Sequence, residues 1–145
     1  MNALERSIRA HIMRSLRNTS APPSLDELAT AHDTTTDAVR EALHSLAAQH
    51  RLALRPDTGA IWMAHPFSAV PTDFVVTSGN RSWWANCVWD GFAILGLVGD
   101  GWLDTRSPQT GDSIRLTVER GRVTGDAIVH FLVPARHFWD DIGFT

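Results

Sequence analysis

The stretch "WWANCVWDGFAILGLVGD", residues 83–100, decides how the chain is read, because it joins an apolar run to the sole cysteine, Cys87. Residues 83–98 predict an apolar helix. Its most apolar part, Gly91 to Gly99, is about half the length a membrane span needs. Asn86 is a good N-cap and would put Cys87 in the first turn. There, exposed amides and the positive end of the helix dipole lower a thiol's pKa and favour the thiolate. Asp90, three residues on, falls on the same helix face and reaches the space in front of the sulfur. Trp83, Trp84 and Trp89 are expected to surround the pair as apolar pocket walls. That combination suits a soft-metal thiolate site at Cys87 beside a carboxyl group able to carry a proton. The plainer reading stays open. A lone cysteine opening an apolar helix is commonly a small core residue, and an aspartate in a first turn commonly serves the dipole.

Upstream, "ALERSIRAHIMRSLR" (residues 3–17) spaces Leu4, Ile8, Ile12 and Leu16 four apart, an amphipathic helix. "NTSAPPS" reads as a linker, and Ser24 with Glu27 forms a capping box before a second helix. A third helix, "TDAVREALHSLAAQH", turns Val39, Leu43, Leu46 and Ala47 inward. Two short strands, "LALR" and "AIWMA", flank a turn at Pro56–Gly59. Three helices and a β-hairpin make a winged-helix-like pattern over residues 1–65. This half holds seven arginines and seven acids. Its third helix sets Asp37 and Glu41 against Arg40 alone, too few donors for reading a nucleic-acid groove. A packing or dimerisation module is expected, and nucleic acid is not an expected partner.

Residues 66–145 predict a second, mixed α/β domain, making the fold class α+β. "TDFVV" reads as a strand, "SGNRS" as a turn, "DSIRLTVERGRVTG" as paired strands turning near Gly121, and "AIVHFLVP" as a further strand. "ARHFWDDIGFT" reads as a short helical or turn segment. The whole chain of 145 residues is 43% hydrophobic and 20% charged, with a net charge of -3. That describes a globular protein without a broad cationic field. Arg6, Arg9, Arg14 and Arg17 interrupt any signal peptide, and a single cysteine excludes an internal disulfide framework. A cytoplasmic protein without a membrane partner is expected. His130 reads as a surface strand residue, and His137 with Asp140 and Asp141 matches no recognised hard-metal loop. His11, His32, His44 and His50 read as solvated or packing residues.

The chain resembles the organomercurial (alkylmercury) lyases, which join an N-terminal winged-helix-like region to a mixed α/β catalytic region. The resemblance centres on the aromatic lead, Cys-x-x-Asp pair and apolar helix of "WWANCVWDGFAILGLVGD", and continues through "TGDSIRLTVE". It implies protonolysis of a carbon–mercury bond. Cys87 would bind mercury as thiolate, and Asp90 would deliver the proton to the departing carbon. The products would be a hydrocarbon and Hg(II), passed to cellular thiols or a mercuric reductase, with no cofactor required. The family also uses a second cysteine near the C-terminus, expected here just after "HFWDDIGFT", and these 145 residues do not include one. That departure keeps a second reading open, a non-catalytic soft-metal (mercury) binder or sensor. The helical half keeps a third, a winged-helix DNA-binding regulator.

Overall fold

A computed structural model describes residues 1–143; Phe144 and Thr145, the end of the predicted "ARHFWDDIGFT" segment, lie outside the described residues. The chain opens with helices α1 (Ala3–Thr19), α2 (Leu25–Ala31) and α3 (Thr36–Ala48). Capping boxes start the first two: Asn2 with Glu5, and Ser24 with Glu27. In each, the cap oxygen takes the third helical amide while the glutamate reaches back to the cap's own amide. Thr35 caps α3 by accepting from the Ala38 amide. Ile8, Ile12 and Leu16 of α1 are buried with Leu28 of α2 and Val39, Leu43 and Leu46 of α3. Ala42 is buried on α3, whereas Ala47, expected inward, is only half-buried at the rim of that face.

The predicted hairpin is present as β1 (Ala53–Leu54) and β2 (Ile61–Ala64), and β3 (Phe67–Ser68) adds to β2 as a third antiparallel strand. The sheet and its core therefore continue past residue 65. A second antiparallel sheet contains β4 (Val75–Ser78), β5 (Arg81–Trp84), β6 (Gly101–Arg106), β7 (Ser113–Glu119) and β8 (Arg122–Thr124), in the order β5-β4-β6-β7-β8. Helix α4 (Val88–Val98) links β5 to β6 and packs on β4 and β6. The architecture is α+β, with four α-helices and two antiparallel sheets among the described residues.

Three local expectations change. The helix begins at Val88, not Trp83: Trp83 and Trp84 pair with Val76 and Val75 as part of β5. Apolarity suits helix and buried strand equally, and the partner strand decides. β6 was not anticipated, yet it is central, with Leu103 completely buried. It lies close to its neighbours because Gly91 and Gly101 have no side chains. A Cβ at Gly91 would come within 2.8 Å of the Leu103 side chain, and one at Gly101 would overlap the Thr77 carbonyl oxygen. Finally, "AIVHFLVP" forms no strand. Gly125, at φ 141°, packs against Leu116 and the Arg115 carbonyl and turns the chain off the sheet edge. Ile128 is then 95% exposed and Leu132 75%.

Both halves contribute to one hydrophobic core. A bridge between Phe67 and Ala85 connects the sheets. The Trp83 indole Nε1 donates to the Arg17 carbonyl at 2.9 Å, and the Ser20 hydroxyl donates to the Ser82 carbonyl at 2.6 Å. No helix among the described residues is long and apolar enough to cross a membrane.

Candidate active site

The approach to α4 is held from both sides. The Ala85 amide donates to the Phe74 carbonyl at 2.9 Å, and the Thr72 hydroxyl donates to the Ala85 carbonyl at 2.6 Å. Two residues later Cys87, with extended backbone angles (φ -152°, ψ -178°), is itself the N-cap of α4. This shifts the expected cap by one residue, because the Asn86 side chain is engaged elsewhere. The Cys87 sulfur makes no capping hydrogen bond, while its carbonyl accepts from the Gly91 amide at 3.0 Å.

Asp90 occupies the third helical position, where Glu5 and Glu27 close the capping boxes of α1 and α2. Here the carboxyl group points to other partners. Its Oδ2 accepts from Asn86 Nδ2 at 2.9 Å and lies 3.2 Å from His65 Nδ1. Asn86 Nδ2 also donates to the Pro66 carbonyl at 3.3 Å. The β2–β3 turn and the start of α4 thus meet at one carboxylate oxygen. Two atoms at this junction, His65 Nε2 and Asn86 Oδ1, are buried without a hydrogen-bond partner. Orphaned buried polar atoms are rare in folded proteins and are often found where function demands them.

The C-terminal segment lies over this junction. Trp139 stacks on His50 (ring centroids 4.2 Å apart, planes at 4°) and meets His65 edge-on at 5.7 Å. Further along, Gly143 packs close to the Trp62 ring. His65 was not among the residues singled out from the sequence. It lies 25 positions from Asp90, and no local spacing rule joins the two.

The thiol environment is the reverse of the one expected. Burial pushes the Cys87 pKa up, and the Asp90 charge pushes it further; the amides of Asp90 and Trp89 only partly offset this. Cys87 therefore rests as a thiol at neutral pH, not as a thiolate. Desolvation of a half-buried sulfur beside a carboxylate outweighs the helix-end amides.

The three tryptophans separate. Trp83 is buried and bonded to Arg17, which makes it a tie between the two halves. Trp84 is half-buried in β5 opposite Val75. Trp89 is 56% exposed and stacks in parallel on Phe131, with centroids 6.3 Å apart. An apolar cavity of about 310 Å³ adjoins the start of α4, lined by Val88, Phe74, Ile114, Leu116 and the 127–133 segment. Of the other sequence candidates, His130 lies on the segment that lines this cavity, and His137 lies apart from it. His137 bonds Asp140 at 2.8 Å, and His130 is exposed. Among the described residues no three His, Cys, Asp or Glu side chains gather to hold a metal ion.

Residues 67–145, more than half of the chain and the whole of this helix start, match the family model described as MerB, alkylmercury lyase. The chain belongs to the alkylmercury lyase family. It is also similar in fold to a solved structure described as the mercury-bound form of MerB2, with a TM-score of 0.68 and 24% identity. That similarity covers 86% of this chain and 60% of the other, so this chain spans less than two thirds of its structural relative. No curated protein sequence matches it. The family match contains Cys87, Asn86 and Asp90, while His65 lies just before it.

Proposed function

We propose that this protein cleaves carbon–mercury bonds by protonolysis, with Cys87 as the mercury-binding sulfur and Asp90 as the proton carrier. The observation that carries this reading is the opening of α4. A half-buried thiol and a hydrogen-bonded carboxylate share one helix turn inside the family-matched segment. Because Cys87 rests as a thiol, mercury binding must displace its proton. The S–H bond breaks as the S–Hg bond forms; the proton passes to Asp90, and the previous counter-ligand of mercury leaves as an anion. Asp90 then gives that proton to carbon as the C–Hg bond breaks. This releases the hydrocarbon and leaves Hg(II) on the Cys87 sulfur, with Asp90 again a carboxylate. Soft sulfur suits soft mercury, and a positioned carboxyl group suits the proton transfer. The apolar cavity beside Val88 accommodates the organic group. Hg(II) then leaves to small cellular thiols or a mercuric reductase, exchange chemistry suited to a reducing cytoplasm.

The helical half is read as a winged-helix-like packing module. Its largest tie to the rest is a shared core, with Trp83 bonded to Arg17, and it carries no excess of positive charge.

Incubation with an arylmercury salt and excess thiol should yield free arene from the wild type and none from Cys87→Ser. Arene at only the control level would overturn the catalytic reading. A second reading, a non-catalytic mercury binder or sensor, is favoured by the absence of a second thiol beside Cys87 among the described residues. It predicts a one-mercury adduct on Cys87 by mass spectrometry, without arene.

A further inference from the structure

We infer that His65 is a positioning residue for Asp90, holding one carboxylate oxygen through its Nδ1–H so that the other serves the proton transfer. The inference rests on the lyase reading of the site and extends it to a residue outside the family-matched segment.

Asn86 Nδ2 has two hydrogens, and two acceptors account for them: Asp90 Oδ2 at 2.9 Å and the Pro66 carbonyl at 3.3 Å. The approach of Asn86 Nδ2 to His65 Nδ1, at 3.4 Å, is therefore a meeting of two donors aimed at the same oxygen. His65 Nε2 is buried and has no partner. A proton on Nε2 would be a buried donor without an acceptor, whereas a proton on Nδ1 has Asp90 Oδ2 at 3.2 Å. The geometry therefore assigns the ring the Nδ1–H tautomer. Trp139, edge-on at 5.7 Å, limits rotation of the imidazole.

Asp90 thus has Oδ2 anchored by two donors from two chain segments. No hydrogen bond among the described residues engages Oδ1. A carboxylate in the first turn of a helix would otherwise turn back toward the helix amides, as Glu5 and Glu27 do at the same position. His65 and Asn86 prevent that turn and keep the group available beside Cys87. His65 touches neither mercury nor carbon, and acts only through Asp90.

The experiment compares His65→Asn with His65→Gln. An asparagine amide nitrogen falls near the Nδ1 position, and a glutamine amide nitrogen falls near Nε2. In single-turnover reactions with phenylmercury and excess thiol, His65→Gln should release benzene about 10- to 100-fold more slowly, the usual cost of losing an orienting partner. His65→Asn should recover most of that rate. Mass spectrometry should show the same mercury uptake on Cys87 in both variants, because the sulfur is untouched. Equal losses in both variants, no loss in either, or a parallel loss of mercury uptake would overturn the inference. A second readout does not depend on turnover. Nitrogen-15 spectra of His65 should show a protonated Nδ1 and an unprotonated Nε2, and the opposite tautomer overturns the assignment. If the wild type releases no benzene, the lyase reading falls, and the nitrogen spectra alone decide whether His65 holds Asp90.

Discussion

The starts of α1 and α2 differ from the start of α4 in how they satisfy their exposed amides. In the helical half, Asn2 and Ser24 cap with side-chain oxygens, and Glu5 and Glu27 three residues on complete each box. At α4 the cap is a cysteine without a capping hydrogen bond, and the acid at the equivalent position is turned toward His65 and Asn86. The spacing of cap and acid is the same in all three helices. In two it stabilises the helix; in the third the same two positions hold a sulfur without a capping bond and a carboxylate turned to His65 and Asn86. The lesson is that a sulfur and a carboxylate can replace a capping box at the cost of local stability, which the buried Ile94 and Leu95 of α4 supply instead.

Exchanging the roles of the two kinds of helix start tests this contrast. The largest effect is expected for Cys87→Ser, which should abolish the mercury adduct and arene release altogether. The same change installs a good cap and should raise stability by up to about 1 kcal/mol, read as an increased midpoint in urea. A variant that loses both stability and activity would break the contrast. Next, Gly101→Ala should destabilise by roughly 3 kcal/mol or more, because its Cβ would overlap the Thr77 carbonyl oxygen and β6 cannot move away from β4. Thermal unfolding measures it. Ser24→Ala, the mirror of the cysteine exchange, should cost about 1 kcal/mol in urea unfolding while leaving mercury uptake unchanged.

Two pH effects are smaller. Cys87 is held above the ordinary thiol range by burial and by Asp90. Its alkylation by iodoacetamide at pH 8 should therefore be slower than that of a free cysteine, and faster again in Asp90→Asn; an unchanged rate would remove Asp90 from the sulfur's surroundings. His32 is held below its ordinary 6.5, first by burial and then by the nearby His11 and Arg14. The folded state thus takes up this proton less readily than the unfolded chain. Its contribution to stability is complete above the ordinary value and is lost as pH falls below it. The drop in Tm from pH 7.5 to 5.5 should be smaller in His32→Gln than in the wild type.

Much of the helical half was legible because its signals are local. Ile8, Ile12 and Leu16 recur at helical spacing, and Ser24 with Glu27 is a capping box readable within four residues. The β7–β8 turn at Gly121 follows from a glycine at positive φ between alternating residues. Cys87 and Asp90 were legible as a pair because three residues separate them. Their electrostatics were not: the expected lowering of the thiol pKa counted the helix end and left out burial. Trp83 and Trp84 were misassigned to the helix because only pairing with β4 shows them to be strand. The tie from Trp83 to Arg17 spans 66 positions, and no periodicity predicts such a contact.

By itself, then, the sequence determined three helices with their caps, an apolar helix opened by a cysteine and an acid, and a resemblance over most of the chain centred on those motifs and one strand. Tertiary structure decided where α4 begins, which face of the tryptophan pair is buried, and that Cys87 rests as a thiol. It also brought His65 to Asp90, by joining the β2–β3 turn to the start of α4 through the Phe67–Ala85 bridge. The physical reason is one of range. Caps and helix faces depend on neighbours within a turn or two of the chain. Burial, strand pairing and the second partner of a carboxylate depend on which distant segments the core draws together.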